Sequence, residues 1–183
     1  MAKLKLENVR LSFPVLFEAK AFEPGAKPRF DATFLIEPGS KNDKAIRRAI
    51  AEVAKETYGA KAEAHLKAYE GNANKYCYLD GDLKEYDGYE GMMYLACHSS
   101  ARPMVIDRDK TPLVEQDGKP YAGCYVNATV DIYAQSGKYP GIRSSFNAVQ
   151  FAGDGDAFGG GERGSMDDFE DLSNGIDEDD IPL

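Results

Sequence analysis

The chain has 183 residues, 43% of them hydrophobic and 29% charged, which is ample for one domain with a buried core. Its net charge of −9 is unevenly spread: residues 154–183 hold eleven acids and one base, leaving 21 basic and 20 acidic residues in the body before them. The acidity of the whole therefore does not exclude a nucleic-acid-binding body, while three separated cysteines, Cys77, Cys97 and Cys124, argue against a disulfide framework or structural zinc and for a reducing cytosol.

The N-terminus alternates charged and apolar residues and lacks the apolar run of a signal peptide, and no stretch approaches transmembrane length. Leu4, Leu6, Val9, Leu11 and Phe13 predict a strand whose apolar phase slips near Glu7–Asn8, as a bulge would make it. Residues 29–37 alternate cleanly, with Phe30, Ala32, Phe34 and Ile36 on one face. Pro38-Gly39 ends that strand, and Ser40 is placed to cap a helix over 41–58 whose stripe is Ile46, Ile50, Val53 and Ala54. Gly59 interrupts it before a second short helix over 60–69.

Residues 70–88 read as irregular around a short strand near Tyr76–Leu79. Residues 89–98 alternate, predicting Met93, Leu95 and Cys97 inward and Met92, Tyr94 and His98 outward. A long loop or hairpin follows over 99–122. Residues 123–134 carry the clearest alternation, with Cys124, Val126, Ala128, Val130, Ile132 and Ala134 on the apolar face. A last strand covers 142–151, with its inward phase open. From Gly153 the composition is that of a flexible linker, then of a disordered acidic tail. The division expected is a folded domain over 1–153 and a linker and tail over 154–183. Half-polar strands, one main helix and long loops predict a mainly β protein of the α+β class, with an OB-fold-like five-stranded β-barrel carrying helical and loop insertions.

No catalytic constellation is visible. Cys97 and His98 are neighbours on a strand and point to opposite faces. Asp80-Gly81-Asp82 opens like a calcium loop, but Lys84 and Gly91 stand where ligands belong. Gly159-Gly160-Gly161 lacks the Gly-Lys-Ser/Thr of a phosphate loop, and the two histidines, His65 and His98, fall in separate segments. No enzyme activity, metal or cofactor is expected.

What remains is aromatic and basic: eleven Tyr and nine Phe. Single-stranded nucleic acid is held by cations that track phosphates and rings that stack on bases. The outward positions that combine the two are Lys3, Lys5, Arg10, Arg29, Lys75, Tyr76, Tyr78, Tyr94, His98, Arg102, Arg108, Lys110, Tyr125 and Tyr133. Tyrosines also suit pleated surfaces for packing reasons alone. At the C-terminus, Asp177, Glu178, Asp179, Asp180, Ile181, Pro182 and Leu183 place an apolar end behind a run of acids, the chemistry of a docking peptide.

That ending, D-E-D-D-I-P-L, resembles the acidic tip of bacterial single-stranded DNA-binding proteins, with Leu183 in place of a terminal Phe. The stretches V-R-L-S-F-P-V-L-F-E (Val9 to Glu18) and R-F-D-A-T-F-L-I (Arg29 to Ile36) resemble a family of phage-encoded single-stranded DNA-binding proteins. The resemblance implies an OB-fold, a role in phage replication and recombination in the cytoplasm of an infected bacterial host, and single-stranded DNA as ligand. It also implies a tail that recruits polymerase, helicase or nuclease. A recombination adaptor that binds mainly protein and a structural phage protein remain open at this point, as does homo-oligomerisation. No membrane association is expected.

Overall fold

One strand organises the sheet. In the computed structural model, which describes residues 1–158 and Leu172, β1 (Ala2–Lys20) pairs antiparallel with β6 (Tyr125–Gln135) through its first half and with β2 (Arg29–Ile36) through its second. It bends twice, at Asn8 (φ 51°) and Phe13 (φ 48°), which curves the sheet around the core. The register against β6 slips between Leu6 and Val9, where the sequence loses its phase. The bulge is not left with orphan polar groups: Asn127 Oδ1 accepts from Asn8 N (2.8 Å), and the Asn42 amide bonds both N and O of Glu7.

The remaining strands are β3 (Tyr78–Asp80), β4 (Met93–Ser99), β5 (Met104–Ile106) and β7 (Gly141–Gly153), and the sheet order is β3-β4-β2-β1-β6-β7-β5. The five long strands run β4-β2-β1-β6-β7, and β4 is curled against β7, where Cys97 Sγ and Ser144 Oγ meet at 3.0 Å inside the closure. This is the expected OB-fold-like barrel. The short strands β3 and β5 are additions: β3 extends β4, and β5 pairs parallel with Ala148–Gln150. β5 lies in the region expected as loop. Residues 89–92, expected to open β4, form a turn instead, because Gly81 N and Met92 N close hydrogen bonds to Met92 O and Tyr89 O.

The inward phase of β7 is now plain. Ile142, Ser144 and Phe146 point in, the register slips between Thr129 and Val130 of β6, and Val149 and Phe151 continue inward. Val126, Ala128, Val130 and Ile132 face them from β6, as their alternation predicts. Helix α1 (Lys41–Tyr58) packs across β1 and β6 and buries Ile46, Ile50 and Val53. A single 3-10 turn over Gly59–Lys61 leads into α2 (Ala62–Tyr69).

The start of α1 is tied to the sheet through a buried carboxylate. Ser40 Oγ accepts from Asp43 N, and Asp43 in turn accepts from Gly39 N (2.8 Å), from Arg47 Nε (2.9 Å) and from the Tyr78 hydroxyl. Burial pushes the Asp43 pKa upward, but these donors and the Arg47 charge outweigh it and hold it below the ordinary 3.8. A carboxylate whose folded pKa is depressed stabilises the fold above its unfolded value and loses that contribution as pH falls through the folded value. Asp43→Ala is expected to lower the unfolding free energy by about 2–3 kcal/mol, because it strands buried donors. In urea melts between neutral pH and pH 3, Asp43→Asn should show a shallower loss of stability than the parent. Identical acid slopes would remove Asp43 from this role.

Candidate nucleic-acid interface

The outer face of β1, β2 and β4 is built by alternation. Residues that face away from the core line up in cross-strand rows: Arg10, Leu35 and Tyr94; Ser12, Thr33 and Ala96; Val15, Asp31 and His98. The face has two ends, and they differ in what lies over them.

At the Asp31 end the surface is open. Arg29 Nε lies 2.9 Å from Asp31 Oδ1 without the direction of a hydrogen bond, and Asp31 is also hydrogen-bonded to His98 Nδ1. The guanidinium of Arg29 is stacked under the ring of Phe22, 4.3 Å from its centroid. His98 lines a small cleft with Tyr76 and Arg143. Arg143 lies opposite Tyr133 in the β6–β7 ladder and donates to the carbonyl of Tyr139 at the hairpin tip, where Lys138 stands 5.5 Å from the Tyr139 ring. Phe22 is 61% exposed and Tyr139 64%. Both rings sit beside a cation, Phe22 on the connection between β1 and β2 and Tyr139 on the β6–β7 hairpin. This is the geometry that lets bases stack while phosphates meet arginine and lysine.

At the Arg10 end the surface is covered. The segment between β3 and β4 folds back over it: Tyr89 is buried against Leu35, Leu79 and Tyr94 and donates its hydroxyl to Ser12 Oγ (2.9 Å). Burial raises the pKa of Tyr89 and of Tyr94. Rings continue outward, Tyr94 to Tyr89 (5.4 Å), Tyr89 to Tyr86 (5.3 Å) and Tyr86 to Phe13 (4.9 Å). Phe13 is 53% exposed although apolar, because the left-handed backbone at that residue, just before Pro14, swings its side chain out of the barrel. A non-glycine residue in this region costs energy that the surroundings must cover.

Residues 154–158, expected as the start of a flexible linker, lie against this end. Tyr121 Oη donates to Asp154 Oδ1 (2.7 Å) and accepts from Gly155 N, Phe158 N donates to Ala122 O, and Arg10 Nη2 donates to Asp156 O. The Phe158 ring stands 4.2 Å from the Arg10 guanidinium.

Comparison with known proteins gives the family and the fold. The profile of a family described as the ssDNA-binding protein of Enterobacter phage Enc34 matches residues 2–181. The chain belongs to that family. A curated relative, putative protein p50 of Acyrthosiphon pisum secondary endosymbiont phage 1, is 45% identical over 179 residues, spanning 96% of this chain and 97% of the relative. Among solved structures, the single-stranded DNA-binding protein from bacteriophage Enc34 in complex with ssDNA superposes with a TM-score of 0.69 at 24% identity, covering 86% of this chain and 89% of the other. The bacteriophage T7 single-stranded DNA-binding protein gp2.5 superposes at 0.56 and 16% identity, over 96% and 100%. At these identities the structural matches establish a shared fold.

Against the family's fold, the residues expected from sequence divide clearly. Arg29 and His98 come together at Asp31, with Tyr76 and Arg143 beside His98, and Tyr133 shares its row with Arg143. Lys75 is exposed next to them and lends its backbone carbonyl to Ile142 N. Arg10 and Tyr125 are cross-strand partners at the covered end. Lys3 and Lys5 are exposed on β1 opposite Asp131 and Thr129, with Lys5 3.9 Å from Glu7. Arg102 is exposed after β4, and Arg108 and Lys110 occupy a turn after β5, three strands from β1 in the sheet order.

Two expectations are corrected. Tyr94 is buried because the outer face at that end is roofed by the 81–92 segment, and Tyr78 is buried because it pairs with Leu95 and points inward, into the core; burial and the bond to Asp43 also push the Tyr78 pKa up. Tyr76 is half-buried, with its pKa pushed by burial to about 12. The docking residues Asp177, Glu178, Asp179, Asp180, Ile181, Pro182 and Leu183 lie outside the described residues.

Reading by alternation missed Phe13, taken as inward, and Phe22, Tyr86, Tyr139 and Arg143. A ring directly before Pro, as in Phe13-Pro14 inside β1 and Tyr139-Pro140 in the β6–β7 hairpin, is the local signal that could have found two of them. Among the described residues, no group of three His, Cys, Asp or Glu is placed to hold a metal ion, and no helix is long and apolar enough to cross a membrane.

Tyr89→Phe removes only the hydroxyl that fastens the roof to Ser12. It should cost about 1 kcal/mol in a denaturant melt and raise amide exchange over residues 84–92. Unchanged exchange there would show that ring packing alone holds the roof.

Proposed function

We propose that this protein coats single-stranded DNA without reading its sequence, as a non-catalytic member of a phage replication and recombination apparatus. The observation that carries this reading is the open end of the outer β1–β2–β4 face, where exposed rings stand beside cations: Phe22 on Arg29, and Tyr139 beside Lys138 and Arg143, with His98 between them. Family membership supports it, since the relative in the complex is titled a single-stranded DNA-binding protein. Bases would stack on Phe22, Tyr139 and Tyr133, and phosphates would meet Arg29, Arg143, Lys75 and Lys138. None of these contacts reads a base edge, so sequence preference should be weak.

The acidic stretch adds two roles. Asp177 to Leu183 presents an apolar end and carboxylates to a partner such as a polymerase, helicase or nuclease of the infected host's cytoplasm. As a tethered polyanion it also competes with DNA for the cations of the body. In this division the folded unit binds DNA and the tail binds partners.

Fluorescence anisotropy of the full chain with labelled oligo-dT and with a duplex of equal length is the test. Single-strand binding should be tighter and should weaken steeply with salt, as counterion release demands. Phe22→Ala and Tyr139→Ala should each cost about 1–3 kcal/mol of binding with melting unchanged, since both rings are exposed. Full affinity in the double variant would move the site off this end of the face. Replacing Asp177, Glu178, Asp179 and Asp180 by their amides should tighten binding at low salt, and unchanged affinity there would remove the competition.

A further inference from the structure

The strap over residues 154–158 occupies its seat in the way a nucleotide would. Its ring, Phe158, lies over the Arg10 guanidinium and closes a pocket of about 460 Å³ whose apolar lining is Phe13, Pro14, Tyr86 and Ala122. Its polar oxygen, the Asp156 carbonyl, takes the Arg10 Nη2 donor at 2.6 Å. A ring among rings and an oxygen on a guanidinium are what a stacked base and its phosphate would supply. Phe13 is held there on a left-handed backbone and is 53% exposed.

The seat is also shaped for this close approach. Gly123 (φ 101°) and Gly155 lie backbone to backbone: a Cβ on Gly155 would overlap the Gly123 carbonyl oxygen, and a Cβ on Gly123 would overlap that of Asp156. The strap is nevertheless lightly held, by a few hydrogen bonds and one half-buried ring, and segments with so few buried contacts open at low cost.

We propose that the pocket lined by Phe13, Pro14 and Tyr86, with Arg10 behind the Phe158 ring that closes it, is a second single-stranded DNA subsite, taking one base and its phosphate, and that Phe158 is its resident occupant, displaced when DNA binds. The subsite extends the open end of the same sheet face and rests on the DNA-coating reading above. Glu85 and Asp87 at its rim direct the base inward and leave Arg10 as the phosphate contact. Because Arg10 is held by two backbone carbonyls, Gly123 O of the body and Asp156 O of the strap, and not by a carboxylate, this competition is separate from the charge of the acidic tail and should survive salt that screens the tail.

The chain has no tryptophan, so Phe158→Trp in the full-length protein gives a single reporter. Free, its emission should be blue-shifted and shielded from iodide; at saturating oligo-dT it should shift red and become quenchable. In the second arm, Gly155→Ala should unseat the strap without altering a DNA contact and should tighten oligo-dT binding about threefold to tenfold, since the site no longer spends most of its time filled. A Trp signal that stays put while anisotropy reports saturation, or unchanged or weaker binding by Gly155→Ala, overturns the subsite. If Phe158→Trp is already exposed in the free protein, the Gly155→Ala result decides alone. Loss of oligo-dT binding by the parent itself is a different failure, that of the DNA-coating reading.

Discussion

The double bend of β1 is the constraint on which the rest of the structure depends. A straight strand of 19 residues would carry both β2 and β6 along the same stretch in one flat sheet. Left-handed residues at Asn8 and Phe13 turn it so that its first half belongs to one ladder and its second half to another. That curvature brings β4 round to β7 and closes the barrel, and it puts polar donors where only Asn42 and Asn127 can satisfy them. The second bend also turns Phe13 outward. A device for closing the core thus creates an exposed ring on the outer face.

The outer β1–β2–β4 face is one surface under two regimes. Its Asp31 end is bare and combines loop-borne rings with arginine. Its Arg10 end is roofed by Tyr89 and Tyr86 and strapped by residues 154–158. The roof is anchored by buried aromatic packing and the Ser12 bond, whereas the strap rests on a handful of hydrogen bonds and one ring. Energetics therefore separate a permanent cover from a removable one. The roof makes Tyr94 a structural residue, while the Arg10 guanidinium, at its margin, is covered by the strap.

Charge follows the same logic. A body with nearly balanced charges can still present local cations if its acids are used internally. Asp43 is buried in the first turn of α1, Asp31 is shared between Arg29 and His98, and Asp107 faces Lys119 at 3.0 Å. Lys138 and Arg143 remain beside the rings at the hairpin tip. Net charge says little about such a surface; the placement of each acid decides it.

By itself the sequence determined the elements whose pattern is local. The alternation of β2 and β6, the Ser40 cap, the α1 stripe and the slip at Glu7–Asn8 are all legible, because side chains repeat with the backbone period and caps act within one turn. The resemblance carried by Val9 to Glu18 and Arg29 to Ile36 identified the family before any geometry was known. Only the tertiary structure decided which outward residues meet solvent and which meet a second layer. Tyr94 and His98 share one face of one strand, yet one lies beneath Tyr89 and the other is open. The bulge in β7, the outward turn of Phe13 and the seat of Phe158 on Arg10 likewise depend on partners far away in the chain, and long-range packing leaves no period in the sequence from which to read it.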